Sequence, residues 1–459
     1  MRIESDVEVD GINSRTHRAQ YTWIRTNGIP PPIARPSIAN QTLKLRREFR
    51  EAGRYGVKRR VLYLCLLLAL CFAGIGFWRV ARVRATSEAA AGNHLAAWQP
   101  AAAETYLNSR EVWWQNWPPA QVDHGTLCIS CHTVVPYAMV QPALRRQLKE
   151  PEMSAPEKVM LESVETRVGR WTEMIPFYSD QAYGAGKTAQ SHATEAVLNA
   201  VILASYDAAQ GHLRPITRTA FNEAWALQES SGDDAGGWQW QDFHLAPWES
   251  GESAYQGAAL LAVALGNTPD QYAAGPGARD HVDQLQQYLR RKYAAQPLMS
   301  QLYVLWASAK MPGLMTDAER TSLMEKVKDL QQADGGWTLS SLDEQGGWKH
   351  HLLEEWKRLD GSAQTDGCAT GLAVLAMEES GISGEDPTLK RGLAWLAQHQ
   401  EKDGKWLAAS LNASRDPNSD IGRFMSDAAT GYAVLALEIA RQDSHAAAVS
   451  QNTAPAGVR

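Results

Sequence analysis

Residues 391–406 read RGLAWLAQHQEKDGKW, an amphipathic helical stretch that stops in a charged turn closing on Gly404 and Trp406. Two other stretches end in the same order of Gln, Gly and Trp: 225-WALQESSGDDAGGW-238 and 330-LQQADGGW-337. A Ser/Thr/Asp-rich turn and an apolar helix follow each copy, at 252-ESAYQGAALLAVALG-266, 365-TDGCATGLAVLAM-377 and 426-SDAATGYAVLAL-437. Self-similarity of this kind marks stacked copies of one supersecondary unit. Two further apolar helices, 190–204 and 298–309, lack a clear Gln–Trp partner. Between the apolar helices lie amphipathic ones such as 280–293 and 316–332, with apolar residues three and four apart. No strand pattern intervenes, so the chain from about Pro156 onward is predicted all-α. The repeated Gln amide is suited to bond the orphan groups at one helix end and the next helix start, with the Trp stacked over it. That role accounts for part of an unusual composition, 17 Trp against 7 Phe.

The stretch Arg391 to Trp406 resembles the QW repeat of the squalene–hopene and oxidosqualene cyclases, through the basic residue, Trp395, Leu396, Gln400, Gly404 and Trp406. The resemblance covers about 190–441 and implies an α/α toroid, in which inner helices ring a central cavity and outer helices surround them. Five inner helices are expected, near 190, 252, 298, 365 and 426, leaving a ring either one short of six or with a divergent first pair. The polar residues expected at the mouth are His192, Glu195, Glu252, Asp366 and Asp427, either as helix caps or as site residues. Cyclases of this type protonate an alkene with the middle Asp of a DxDD motif. The corresponding stretch here, 364-QTDGCA-369, puts Asp366 in that place, with Gln364 and Gly367 where the supporting carboxylates would stand. Protein prenyltransferases share the toroid and hold zinc through an Asp-x-Cys and a later His. Asp366-Gly367-Cys368 resembles the first part, but Ser426 and Asp427 stand where the His would be, so zinc is not expected. The fold alone therefore leaves the chemistry open.

Residues 61–78, VLYLCLLLALCFAGIGFW, form an uncharged apolar run. As a helix it would span roughly 27 Å, enough for a hydrocarbon core. Lys44, Arg46, Arg47, Arg50, Arg54, Lys58, Arg59 and Arg60 precede it, whereas only Arg79, Arg82 and Arg84 follow closely. This bias predicts a single-pass anchor in a bacterial inner membrane, with residues 1–60 a cytoplasmic disordered tail and 79–459 periplasmic. A cleaved signal peptide is the rival reading; the length of the run and the arginines at the expected cleavage site disfavour it. The net charge of −6 shows no basic stripe, so no nucleic-acid partner is expected. The domain organisation read from the sequence is a tail (1–60), a transmembrane helix (61–78), a spacer with a Cys-containing segment (79–155), the toroid (156–443) and a disordered tail (444–459).

That Cys-containing segment holds 125-GTLCISCHT-133, where Cys128, Cys131 and His132 form a CxxCH motif in a chain with only 5 Cys. Chance would produce it in about one such chain per thousand. A Cys128–Cys131 disulfide would close a strained two-residue loop, and zinc would need two further ligands that no neighbouring CxxC or HxxxH supplies. The spacing suits covalent haem c: two thiols meet the two vinyl groups while the next residue's imidazole takes the iron. Attachment of that kind happens outside the cytoplasmic membrane, the side on which the flanking charges place the segment. Residues 113–146 therefore resemble the haem-binding part of a c-type cytochrome, with Cys128, Cys131 and His132 as cofactor ligands. Met139, Met153 and Met174 are candidates for the opposite face, His124 or His192 would give a lower-potential pair, and an open sixth position would favour ligand chemistry. Trp113, Trp114, Trp117 and Tyr137 suit porphyrin packing or a seam against the toroid.

The function expected from these features is a membrane-anchored, extracytoplasmic haem c protein in electron transfer. It would work with a redox partner at the membrane and a toroid that binds an apolar or isoprenoid ligand. A haem-bearing scaffold without catalysis and a triterpene cyclase with Asp366 as its acid are the alternatives.

Overall fold

The computed structural model describes residues 98–343, 364–411 and 415–453. The apolar run 61–78 and the tail before it lie outside the described residues. Among the described residues no helix is long and apolar enough to cross a membrane.

Twelve helices of twelve residues or more run through the described chain: α1 (Pro100–Asn116), α2 (Val134–Leu148), α3 (Ala155–Gly169), α4 (Lys187–Gln210), α5 (Pro215–Ala226), α6 (Ser253–Gly266), α7 (Arg279–Lys292), α8 (Leu298–Lys310), α9 (Asp317–Asp329), α10 (Gly367–Glu379), α11 (Pro387–Gln398) and α12 (Phe424–Thr453). Backbone pairing outside helices among these residues is limited to isolated bridges such as Gln121 with Leu127. The described residues are all-α, as the periodicity predicts.

The even-numbered helices pack in a closed cycle. α2 lies on α4, α4 on α6, α6 on α8, α8 on α10, α10 on α12, and α12 returns to α2. Their sequences explain the placement, because a helix apolar on every side must be covered on every side. In α10 each residue from Gly367 to Met377 is buried. The odd-numbered helices bury one stripe instead, for example Val282, Leu285 and Leu289 of α7. Five members of the cycle start where the sequence places them. The sixth is α2, which lies in the segment read from sequence as spacer and Cys motif. Its pattern is obscured by Pro136 and Pro142, which read as helix breakers. Pro136 falls in the first turn, where backbone N–H groups have no intrahelical partner, so it costs the helix little there. At the other end α12 continues to Thr453, into the stretch read as a disordered tail, and its alanines at 446–448 favour that extension.

The three Gln–Gly–Trp copies do the same work three times. Gln331 donates to the carbonyls of Gly335 (2.8 Å) and of Thr388 at the start of α11 (2.9 Å). Gln228 likewise joins Gly236 to His281 at the start of α7, both at 3.0 Å. Gln400 bonds Gly404 O at 3.0 Å and both backbone groups of Gln99, the residue before α1. The last copy thus links the end of the repeat region to its first helix, 301 residues away. The Trp side chains of the three copies, Trp238, Trp337 and Trp406, are buried. They belong to the core and donate back to the preceding helix, Trp337 to Val327 O of α9 and Trp406 to Leu396 O of α11, both at 2.8 Å. An indole of that size stabilises strongly when buried with its N–H paired. The glycine of each copy is obligatory. Gly236, Gly335 and Gly404 have φ of 91°, 100° and 96°, and a Cβ on each would meet a backbone carbonyl of α7, α11 and α1 at 2.1, 2.7 and 2.0 Å respectively.

Candidate functional site

The motif loop hangs between the end of α1 and the start of α2. Ser130 turns the chain into α2, its Oγ accepting from the N–H groups of Thr133 (3.3 Å) and Val134 (3.1 Å). Trp114 of α1 donates its indole N–H to Cys128 O at 2.9 Å, and Cys128 N–H donates to Ala120 O at 2.8 Å. A tight turn with His124 and Gly125 at positive φ leads into it.

Two buried arginines clamp this loop from opposite ends. On α3, Arg167 makes a two-pronged pair with Glu195 of α4 and donates to Thr126 Oγ1 at 2.8 Å and to Asp123 at 3.3 Å. On α1, Arg110 donates to Asp427 of α12 at 2.8 Å, and Asp427 in turn accepts from Tyr106 and from Thr133, both at 2.7 Å. Each arginine is about as buried as a core leucine, with 1–2% of its side chain exposed. Charges so deeply placed require partners. Neither was singled out from the sequence, although a signal was present. Arg110 sits in the stripe Ala103, Tyr106, Leu107, Arg110, Glu111, Trp114, and Arg167 in the stripe Met160, Leu161, Val164, Arg167, Val168, each in a slot where an apolar residue belongs.

Cys128 and Cys131 are free thiols and half-buried. Protein crowding around them pushes both thiols above their ordinary range, with Glu249 adding to the effect. His132 stands in an aromatic nest. Phe424 of α12 stacks on its ring with centroids 3.7 Å apart, while Trp114 lies edge-on at 5.4 Å and Trp248 at 5.6 Å. Trp117 stacks on Trp113 at 5.0 Å beside them. Phe424 and Trp248 were not anticipated, since they arrive from far along the chain. Burial, assisted by Arg110 and Arg415, lowers the His132 pKa to about 3, so the ring is neutral. Its Nδ1 lies 2.9 Å from Thr133 Oγ1. Two unpaired thiols, a neutral imidazole and flat aromatic surfaces form a donor set that fits a covalently attached haem, with His132 as the iron ligand.

The other sequence candidates are dispersed. Asp366 caps α10, accepting from the N–H groups of Cys368 (2.8 Å), Ala369 (3.0 Å) and Leu339 (3.0 Å); burial lifts its carboxyl to about 7. Cys368 is buried, its thiol raised by the same cause. Met174 is buried with its sulfur 3.9 Å from Arg167 Nη1, and Met139 and Met153 are half-buried at the edge of the core. The aromatic rings packed against His132 among the described residues are Trp114, Trp248 and Phe424. His192 lies edge-on to Trp171, 5.2 Å between centroids. Glu252 precedes α6 without capping it. Of the five polar residues expected at one mouth, the structure therefore brings Glu195 and Asp427 to the motif loop, each as the partner of a buried arginine. Among the described residues no group of three or more His, Cys, Asp or Glu side chains could hold a bare metal ion.

A cavity of about 20 Å3 opens beside Cys131, lined by Val135, Leu198, Trp248, Gln256 and Tyr303 among others. A void of that size holds roughly one water. A scan against protein-family models gives no match to this chain, and neither does a search of curated proteins.

Proposed function

We propose that this chain is a membrane-anchored c-type haem protein whose work is electron transfer outside the cytoplasmic membrane. The observation that carries the reading is the placement of Cys128, Cys131 and His132, with two free thiols and a neutral imidazole on a braced loop inside an aromatic nest. Haem supplies one-electron chemistry when bound. Each thiol would add across one vinyl group, its hydrogen going to the adjacent vinyl carbon, so attachment needs no oxidant. Trp113, Trp114, Trp117, Trp248 and Phe424 would exclude water and cover the porphyrin.

The closed cycle of even helices within odd ones we read as an α/α toroid of the terpenoid-cyclase and prenyltransferase type, serving here as a frame for the motif loop. Support for a frame comes from the buried pairs Arg110–Asp427 and Arg167–Glu195, which tie its helices to the motif loop at Thr133 and Thr126. Asp366 as a cap likewise supports a frame over an alkene-protonating ring. The apolar run 61–78 with its preceding positive charges supports anchoring, and a redox partner at the membrane follows from that position.

The test is direct. Membranes carrying the wild-type chain should give a band with haem-dependent peroxidase stain, and Cys128→Ala with Cys131→Ala should abolish it. A visible spectrum of the purified protein, oxidised and reduced, should show a c-type haem. A wild-type chain without stain or haem absorbance sinks the proposal.

A further inference from the structure

The hydrogen bonds behind His132 have only one consistent direction. Asp427 is enclosed by three donors, Arg110 Nε at 2.8 Å, Tyr106 OH at 2.7 Å and Thr133 OH at 2.7 Å. An arginine is never an acceptor and holds its proton, so the carboxylate it grips is the accepting side. The single hydroxyl hydrogen of Thr133 is therefore committed to Asp427 Oδ2. What Thr133 Oγ1 has left for His132 Nδ1, 2.9 Å away, is a lone pair. Nδ1 must then carry the hydrogen, which leaves Nε2 as the nitrogen that can hold iron.

We propose that Asp427, acting through the Thr133 hydroxyl, is a positioning residue that fixes His132 as its Nδ1–H form and keeps Nε2 for iron. The inference rests on the haem reading. It adds a residue from α12, 295 positions beyond His132, that no part of the CxxCH motif contains. Outer partners of a metal-bound imidazole fix its tautomer and raise its basicity. A more basic imidazole favours the oxidised metal, so the pair Thr133–Asp427 should hold the reduction potential down. Phe424 stacked on the ring fixes its plane by an independent contact, also from α12. One inner helix thus sets both the orientation and the proton of the ligand.

The experiment compares the full chain with Thr133→Val, which keeps the shape and removes the hydroxyl, and with Thr133→Ser, which keeps the hydroxyl. All three should retain the covalent stain. In spectroelectrochemical titration Thr133→Val should shift the reduction equilibrium about tenfold toward the reduced form, about 59 mV upward for one electron. Thr133→Ser should remain near wild type. An unchanged potential in a stained Thr133→Val protein overturns the relay. A second measurement does not depend on haem. In the Cys128→Ala, Cys131→Ala chain with 15N-labelled histidine, the resonances lost in His132→Ala should report Nδ1–H, and Thr133→Val should weaken that preference. A dominant Nε2–H form overturns the relay, whereas absence of stain in the wild type overturns the haem assignment alone.

Discussion

Arg110 on the first helix and Asp427 on the last stand 2.8 Å apart with 2% and 1% of their side chains exposed. This pair and its counterpart, Arg167 with Glu195, connect helices α1 and α3 to helices α12 and α4, and each also grips the motif loop, at Thr133 and Thr126. The loop is therefore braced where it enters and where it leaves. An open loop would let two thiols and an imidazole drift, while these anchors fix them before any ligand arrives, which is how preorganised sites are built.

Removing one partner of such a pair leaves a buried charge without compensation, which costs about 3–5 kcal/mol. Arg110→Met is expected to lose that much in urea denaturation. Adding Asp427→Asn should restore part of it, because the stranded charge is gone. An Arg110→Met protein within about 1 kcal/mol of wild type would show that the carboxylate finds other support.

Gly404 offers a sharper test of how α1 packs on the last Gln–Gly–Trp turn. At φ 96° an alanine there is strained, and its Cβ would sit 2.0 Å from Ala102 O on α1. Left-handed strain of about 1–2 kcal/mol and overpacking of about 1–3 kcal/mol add at this position. Gly211, at φ 75° with nothing within 4 Å, carries only the first effect. Gly404→Ala should therefore lower the thermal midpoint well beyond Gly211→Ala. Equal shifts would mean that α1 moves aside freely.

Much of this architecture is legible in the sequence because buried helices announce themselves. Runs such as 371-GLAVLAM-377 have no polar side to expose, and the Gln–Gly–Trp turns show where the outer helices end. The CxxCH motif is equally legible, since its residues are neighbours. What stays hidden is assembled over long separations. Phe424 and Trp248 reach His132, and Asp427 reaches Thr133, only when distant helices pack together, and a charge in an apolar stripe, as at Arg110 and Arg167, reveals a buried pair without revealing its partner. Helix α2 is hidden for a local reason, its two prolines.

Glu111 on α1 provides a pH dependence. It is fully buried, Gln115 donates to its Oε1 at 3.0 Å, and its Oε2 has no hydrogen-bond partner among the described residues. Burial, with the nearby charge of Asp427, raises its pKa from 4.5 to about 8. A carboxyl whose folded pKa lies above its unfolded value favours the folded state at low pH. That contribution is complete below 4.5 and is lost as pH rises toward 8. Over this window Glu111 should lower stability by up to about 1.4 kcal/mol per pH unit. Glu111→Gln keeps the shape without the titration. Unfolding free energies measured from pH 5 to 8 should fall less steeply in this variant, by about one proton. Parallel curves for the two proteins would show that Glu111 is ionised in the fold.

Asp366 separates capping from catalysis. Its carboxylate oxygens are taken by three backbone N–H groups at 2.8–3.0 Å, two of them at the start of α10. Asp366→Asn keeps an oxygen for the first turn of α10 and should cost about 1 kcal/mol or less, whereas Asp366→Ala loses the cap and should cost about 1–2 kcal/mol. A proton-donating role predicts no such grading in function, because neither Asn nor Ala is an acid and both variants would be equally inactive toward an isoprenoid alkene. The decisive measurements are urea denaturation of both variants and product analysis after incubation with a linear isoprenoid. Graded stability with no cyclised product from any of the three proteins is the expected result. A cyclised product from wild type that disappears in Asp366→Asn would give this carboxyl back its acid role, and the ring its substrate.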